Sequence, residues 1–264
     1  MKPFFSIIIP TLNEEKNIAS CLLSVKNQTY KNTEIILVDN FSKDSTLEIA
    51  KGFGVRIFKA GTERSAQRNF GSRKSKGTWL LFMDADMELT PNVIKNATVT
   101  ASKNKFDAII IPEKVKGDNF WAKCLNLEKK LYMNQPSILA ARFFEKQKFL
   151  KLGGYDEDLI AGEDWDLHVR SQKAGIKIGM SKSVIYNNES NMNLLEILKK
   201  KFYYAKNIKI YAKKHPKEFL SQANFVSRLI TRPALTGMAK DPAHAAGLIF
   251  LKSAQAFTAL AAQF

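Results

Sequence analysis

Two aspartates one residue apart, Asp84 and Asp86 around Ala85, close the apolar run of LFMDADMELTP at residues 81–91. If the strand predicted by this run continues to Asp86, its period of two sends both carboxylates to the same side. Two anions that close repel each other unless a positive charge sits between them. Mg2+ and Mn2+ favour oxygen ligands and are commonly held by one or two carboxylates together with substrate phosphates. Such an ion would relieve the repulsion and neutralise a diphosphate leaving group. A plain helix start, with Thr90 as N-cap and Pro91 at the first helical position, explains Thr90-Pro91 and leaves Asp84-Ala85-Asp86 unexplained.

A second carboxylate group, Glu163, Asp164 and Asp166, opens a helix after Gly162. Mutual repulsion favours a raised pKa in one of the three; equally, all three complement the positive end of a helix dipole. On the first turn Asp164 can point into a cleft while Asp166 does not. Upstream, Arg64 and Arg68 share a helix face at i and i+4. Guanidinium groups suit phosphate oxygens, and the alternative is a surface salt-bridge face. His168 reads as a packing or surface residue, and His215 and His244 lie near prolines that mark turns.

These groups need elements to hold them. FFSIIIP, EIILVDN, VRIFKA, TWLLFMDAD and DAIIIPEKV read as strands, with helical stretches between them. Ile18, Leu22 and Val25 share one helix face, a second helix falls within 44–52, a third within ERSAQRNFGSRKSKG, and a fourth starts at about Pro91. Alternating strands and helices predict an open, largely parallel α/β sheet with helices on its faces. Ligands gather at the carboxyl ends of such strands, which here carry Pro10-Thr11-Leu12-Asn13, Asp39-Asn40 and Asp84-Ala85-Asp86. The second half adds a helix over 119–133, a strand in SILAARFFEK, the helix after Gly162 and a strand in IKIGMSKSVIY.

Taken in order, PTLNEE, VDNFSKDST, RSAQRNFG, DADM and GEDWD resemble the family 2 glycosyltransferases of the GT-A fold, a Rossmann-like sheet, over roughly residues 3 to 190. The resemblance implies that Pro10, Thr11, Asn13 and Glu14 line a nucleotide pocket. Asp39 and Asn40 would contact base and ribose, and Arg68 and Asn69 would sit beside the donor. Asp84, Ala85 and Asp86 match the D-x-D element, with Asp84 and Asp86 positioning Mn2+ or Mg2+ and the diphosphate. Asp164 matches the general base of inverting members, with Glu163 and Trp165 on the acceptor side. An inverting transfer needs a carboxylate to take the proton of an acceptor hydroxyl while a cation-stabilised nucleoside diphosphate departs. The chain departs from the common pattern in three ways. Asn40 stands where many relatives have a second Asp, which leaves base specificity open. No metal-binding His follows the last core strand, where Tyr186-Asn187-Asn188-Glu189 stand. A Q-x-x-R-W signature of processive synthesis is absent, so transfer of a single sugar from a nucleotide-sugar donor to a glycan or lipid-linked acceptor is expected.

The 264 residues carry 41 Lys and Arg against 25 Asp and Glu, a net charge of +16 that attracts phosphates of nucleotides, lipid head groups or nucleic acids. No nucleic-acid partner is expected, because Asp39, Asp84, Asp86 and Asp164 would repel a phosphate backbone. A sugar nucleotidyltransferase of similar fold usually has a Gly-rich loop after the first strand, and PTLNEEKN has no glycine. Cys21 and Cys124 lie far apart, which argues against a disulfide framework or thiolate metal site. The first residues lack the flanks of a secretory signal, and no run of about eighteen apolar residues occurs. Residues 1–192 are expected to form the catalytic domain, with a nucleotide-binding half (1–115) and an acceptor-binding half (116–192). Residues 193–264 form a basic helical extension. Its stretch 194–214 has Lys199, Lys206, Lys209 and Lys213 near one side and an adjoining apolar face, which suits an anionic membrane surface. A cytoplasmic enzyme, peripheral on the inner face of the cell membrane, is the resulting expectation.

Overall fold

The computed structural model describes residues 3–132, 138–190 and 192–262. In chain order the elements are β1 (Phe5–Thr11), α1 (Ile18–Lys26), β2 (Thr33–Asp39), α2 (Thr46–Lys51), β3 (Arg56–Lys59), α3 (Arg64–Lys74), β4 (Trp79–Phe82), β5 (Met87–Leu89), α4 (Val93–Asn104), β6 (Ala108–Ile110), β7 (Glu113–Lys116) and α5 (Phe120–Tyr132). There follow β8 (Ala141–Glu145), α6 (Lys146–Lys151), α7 (Glu163–Lys173), β9 (Ile178–Met180), β10 (Ile185–Asn188), α8 (Leu194–Asn207), α9 (Lys209–Lys214), α10 (Pro216–Ala223), α11 (Phe225–Leu229), α12 (Arg232–Lys240) and α13 (Pro242–Ala261). They fall into two compact units, and the division is not linear. The first takes residues 1–112, 140–157 and 163–186, the second 113–139, 158–162 and 187–264. Strand β8, late in sequence, returns to pair with β4 and β6.

The first unit is built on a seven-stranded sheet in the order β3-β2-β1-β4-β8-β6-β9. Parallel pairing runs through β3, β2, β1 and β4 and joins β6 to β9, while β8 is antiparallel to both neighbours. All seven residues of β1 are buried. That is why FSIIIPT reads as a continuous apolar run and not as an alternating one. Ile18, Leu22 and Val25 of α1 pack into the same core as Ile7, Ile9, Leu37, Leu81 and Phe143.

Several elements differ from the sequence expectation for local reasons. β4 stops at Phe82, so Asp84-Ala85-Asp86 lies on a turn, closed by the Met87 N–H donating to the Asp84 carbonyl at 3.1 Å. Helix α4 starts at Val93 with Asn92 before it, and the Thr90 hydroxyl donates instead to the Val184 carbonyl at 3.0 Å. DAIIIPEKV divides into β6 and β7 around Pro112, which has no N–H to give a ladder. IKIGMSKSVIY likewise divides into β9 and β10, and residues 194–214 divide into α8 and α9 at Ile208.

In the second unit, Cys124 and Leu127 of α5 meet Ala245 and Leu248 of α13. The approach is close because Gly247 has no side chain: a Cβ there would lie 2.5 Å from the Phe120 ring and 2.7 Å from Cys124 Sγ. Helix α8 opens with a capping box, Asn193 accepting from the Glu196 N–H and Glu196 accepting from that of Asn193. Cys21 and Cys124 are both free and buried. Among the described residues no helix is long and apolar enough to cross a membrane.

Helix α3, which carries Arg68, lies tightly on β1 and β2 through Gly71. A Cβ at that position would sit 2.6 Å from Ile8 Cγ2 and 3.2 Å from Val38 Cγ2. Gly71→Ala is expected to lower stability by about 1–3 kcal/mol through overpacking, seen as a lower urea midpoint at unchanged slope.

Candidate active site

Register puts Thr11 opposite Asp39 at the carboxyl ends of β1 and β2. Asp39 is fully buried, and its oxygens accept the hydroxyl and the backbone N–H of Ser42. The two following loops are tied to each other. The Asn13 N–H donates to Ser42 Oγ at 2.8 Å, the Lys43 N–H to Asn13 Oδ1 at 2.9 Å, and the Glu14 N–H to Thr46 Oγ1 at 2.7 Å. Asn13 and Phe41 hold left-handed backbone at φ 54° and 56°, a conformation that costs a bulky residue energy. Asn40 Nδ2 donates to the Thr62 carbonyl at 2.9 Å. Gln67, buried on α3, donates to the carbonyls of Thr11 and Val38 at 3.0 and 2.6 Å and so fixes α3 against both strand ends.

Beyond Gln67 stands Arg68, whose side chain is fully buried. Its Nη2 meets Asp84 Oδ1 at 2.5 Å, and its Nη1 lies 3.3 Å from Glu163 Oε1 and 3.4 Å from Asp164 Oδ1. From β8, Arg142 approaches the remaining oxygens: Nη1 to Asp84 Oδ2 at 3.6 Å and Nη2 to Asp164 Oδ2 at 3.4 Å. Asp84 and Asp164, eighty positions apart in sequence, are thus bridged twice, each oxygen facing a different arginine. Arg64 joins the edge of the cluster through Glu163 at 3.2 Å, and the Arg68 guanidinium lies over the Tyr155 ring at 5.0 Å.

The electrostatics follow from burial and charge. Burial alone would raise the Asp84 carboxyl, but Arg68 and Arg142 outweigh it and hold it well below the usual carboxylate range. Glu163 goes the other way: burial first, then Asp164, push it up against the pull of Arg64 and Arg68. Glu163, at the start of α7, is therefore driven toward its neutral form. Asp164 is the more accessible, its side chain 24% exposed against 7% for Glu163. Asp166 is fully buried and turned away, accepting from Arg170 at 2.7 Å. Arg170 in turn donates to the carbonyls of Leu152 and Gly154.

The positive partner of Asp84 is therefore guanidinium, and the expected clasp of both aspartates on one cation finds Asp84 already engaged. Among the described residues no group of three or more His, Cys, Asp or Glu is arranged to hold a metal ion. Negative charge is nonetheless concentrated near the turn. Burial, then Asp86, Asp84, Glu14 and Glu88, push the Cys21 thiol well above its ordinary value. A cation completing its shell with phosphate and water oxygens fits there.

Asn69 does not face the strand-end loops: its amide exchanges two hydrogen bonds with the Tyr155 backbone, at 2.8 and 2.9 Å, and donates to Glu157 at 2.8 Å. Arg68 places its terminal nitrogens on the carboxylates of Asp84, Glu163 and Asp164 and so orders the cluster. Pro10 and Ala85 are buried, while Glu14, Asp86 and Trp165 are half-buried. Sequence reading passed over Arg142, Tyr155 and Gln67. For Arg142 a signal existed: a lone arginine in the apolar SILAARFFEK has to find carboxylates once its strand is buried.

The profile of Glycosyl transferase family 2 matches residues 6–152, and this chain belongs to that family. It is 32% identical over 178 residues to a PGL/p-HBAD biosynthesis glycosyltransferase of Mycobacterium bovis, covering 64% of this chain and 69% of that protein. To the glycosyltransferase AglE of Haloferax volcanii it is 28% identical over 221 residues, 77% of this chain and 72% of the relative. The mannosyltransferase PcManGT from Pyrobaculum calidifontis, solved in complex with GDP-Man and Mn2+, has a TM-score of 0.66 at 15% identity, over 100% of this chain and 86% of that one. S. aureus TarS 1–349, solved in complex with UDP-GlcNAc, gives 0.60 at 18% identity, over 90% of this chain and 76% of that one. Another TarS chain is matched over 84% of this chain and only 44% of its own length. These likenesses establish a GT-A type fold.

The opposite pKa shifts of Asp84 and Glu163 predict opposite behaviour on neutralisation. A depressed carboxyl contributes stability above its unfolded pKa of about 4 and loses it as pH falls; a raised carboxyl is penalised at neutral pH. Asp84→Asn is expected to cost about 3 kcal/mol at pH 7 and to flatten the acid limb of stability. Glu163→Gln is expected to be neutral or stabilising at pH 7. Urea titrations between pH 3 and pH 7, on the order of one per pH unit, check both signs.

Proposed function

We propose that this chain transfers a single sugar from a nucleoside-diphosphate donor to a hydroxyl of a glycan or lipid-linked acceptor, with inversion at the anomeric carbon. The observation that carries this reading is the convergence of Asp84 and Asp164 on the same two arginines. It brings the turn after β4 to the start of α7, where a proton acceptor is needed.

In this reading the nucleoside enters over the loops after β1 and β2, where Thr11, Asn13, Glu14, Asp39 and Asn40 stand. Asp39 acts by shaping its loop, Asn40 by presenting the amide edge. Asp86 is the carboxylate that would hold a Mn2+ or Mg2+ ion, whose positive charge would favour a diphosphate leaving group. Asp84 keeps Arg68 and Arg142 in place. Incoming phosphates compete for Arg142, and each contact drawn off Asp164 leaves an oxygen for the proton of the acceptor hydroxyl. As the hydroxyl oxygen attacks the anomeric carbon, Asp164 takes that proton, and the bond to the donor phosphate breaks with its electron pair leaving on the diphosphate. Glu163, held by Arg64 and Arg68, supports the arrangement from the acceptor side with Trp165. The acceptor is presented at an anionic membrane surface, which the basic residues of the C-terminal helices would attract.

Asp164→Asn should retain donor binding and lose turnover by about 10²-fold or more. UDP and GDP should raise the melting temperature more in Mn2+ than without it, and Asp86→Ala should abolish the metal-dependent part. Loss of donor binding in Asp164→Asn would reassign that carboxylate to structure. Stabilisation by oligonucleotides and not by nucleoside diphosphates would overturn the reading.

A further inference from the structure

The sequence pattern points to the basic stretch 194–214 and to the broken apolar stretch 228–264 as membrane-facing. The folded second unit singles out one element of the latter. Ala246, Ile249, Phe250, Ser253, Phe257 and Leu260 of α13 are all exposed, with Ile249, Phe250, Phe257 and Leu260 at 49%, 56%, 74% and 61%. At the helical period they fall within an arc of about 100°. The helix has one charged side chain, Lys252, and it is turned inward to pair with Glu128. An outward helix face of this length without a charge is uncommon on a solvated protein. The opposite face is already satisfied, packed on α5 and α8.

Charge decides what covers the stripe. Residues 193–264 hold twelve Lys and Arg against three Asp and Glu. On α8, which packs against α13, Lys199, Lys200 and Lys206 are exposed, and Lys209, Lys213 and Lys214 follow on α9. A second copy would set one cationic unit against another, whereas an anionic lipid surface attracts it. The helix is not apolar enough to span, and its twenty residues, about 30 Å long, suit a position in the plane of the interface.

We propose that α13 is an interfacial membrane-binding helix. It lies in the head-group region of an anionic bilayer with Ile249, Phe250, Phe257 and Leu260 inserted and the lysines of α8 and α9 on the phosphates. This rests on the reading of a membrane-side acceptor but not on the chemistry of transfer.

The test is co-sedimentation of the full chain with phosphatidylcholine vesicles, with and without phosphatidylglycerol. Wild type should pellet with the anionic vesicles and be released by salt. Phe250→Glu/Phe257→Glu and Lys199→Glu/Lys206→Glu should each partition about tenfold less. Phe257→Trp should show blue-shifted emission when anionic vesicles are added. Nucleoside-diphosphate thermal shifts, measured on the same samples, should be unchanged in every variant. Their absence in wild type would count against the catalytic reading alone. The inference is overturned if the double Phe variant pellets like wild type, if the tryptophan emission does not move, or if the stripe proves to seal a dimer that Phe257→Glu dissociates.

Discussion

Everything at the centre of the first unit depends on keeping Arg68 charged where no water reaches it. A buried guanidinium is tolerated only when carboxylates surround it, and Asp84, Glu163 and Asp164 do so from two separate elements. Burial works against its charge, but Asp84 and then Asp164 hold it protonated. Once Arg68 is fixed, the turn after β4 and the first turn of α7 have little freedom. Arg142 adds a second bridge between the same two aspartates, so the distance between the D-x-D turn and α7 is set by salt bridges from both sides.

That constraint needs rigid supports, and the fold supplies them with side chains that do no chemistry. Gln67 fastens α3 to the ends of β1 and β2. Asn69, one residue beyond Arg68, reads the backbone of Tyr155 as a strand partner would. Tyr155 in turn presents its ring to Arg68. Arg170, held by Asp166, donates to the carbonyls of Leu152 and Gly154 in the preceding glycine turn. Each of these residues is buried or half-buried.

How much was legible in the sequence follows from the range of each interaction. The strands, the helix face of Ile18, Leu22 and Val25, and the strand-end grouping of Thr11, Asp39 and Asp84 follow from local periodicity and the topology of parallel sheets. Glu163, Asp164 and Asp166 were visible as a cluster, but the rise of Glu163 toward neutrality depended on burial, a tertiary quantity. Arg142 and Tyr155 could not be placed because their partners lie on elements distant in sequence. Arg68 and Asn69 were visible as candidates, but their partners within the protein were not, for the same reason: arginine and asparagine suit phosphate and sugar as well as carboxylate and backbone. The C-terminal helices were anticipated as amphipathic, yet an exposed apolar face shows itself only after the other face has found its partner.

The loops after β1 and β2 form a single piece. Asn13 reaches across to Ser42 and Lys43, Glu14 to Thr46, and the Glu15 backbone to Asp44, while the Glu15 carboxylate accepts from Ser45. A relative's version of one loop, grafted without the other, would arrive with its hydrogen-bonding partners missing. Any exchange of the loops after β1 and β2 therefore has to carry residues 11–15 and 40–46 together as one cassette.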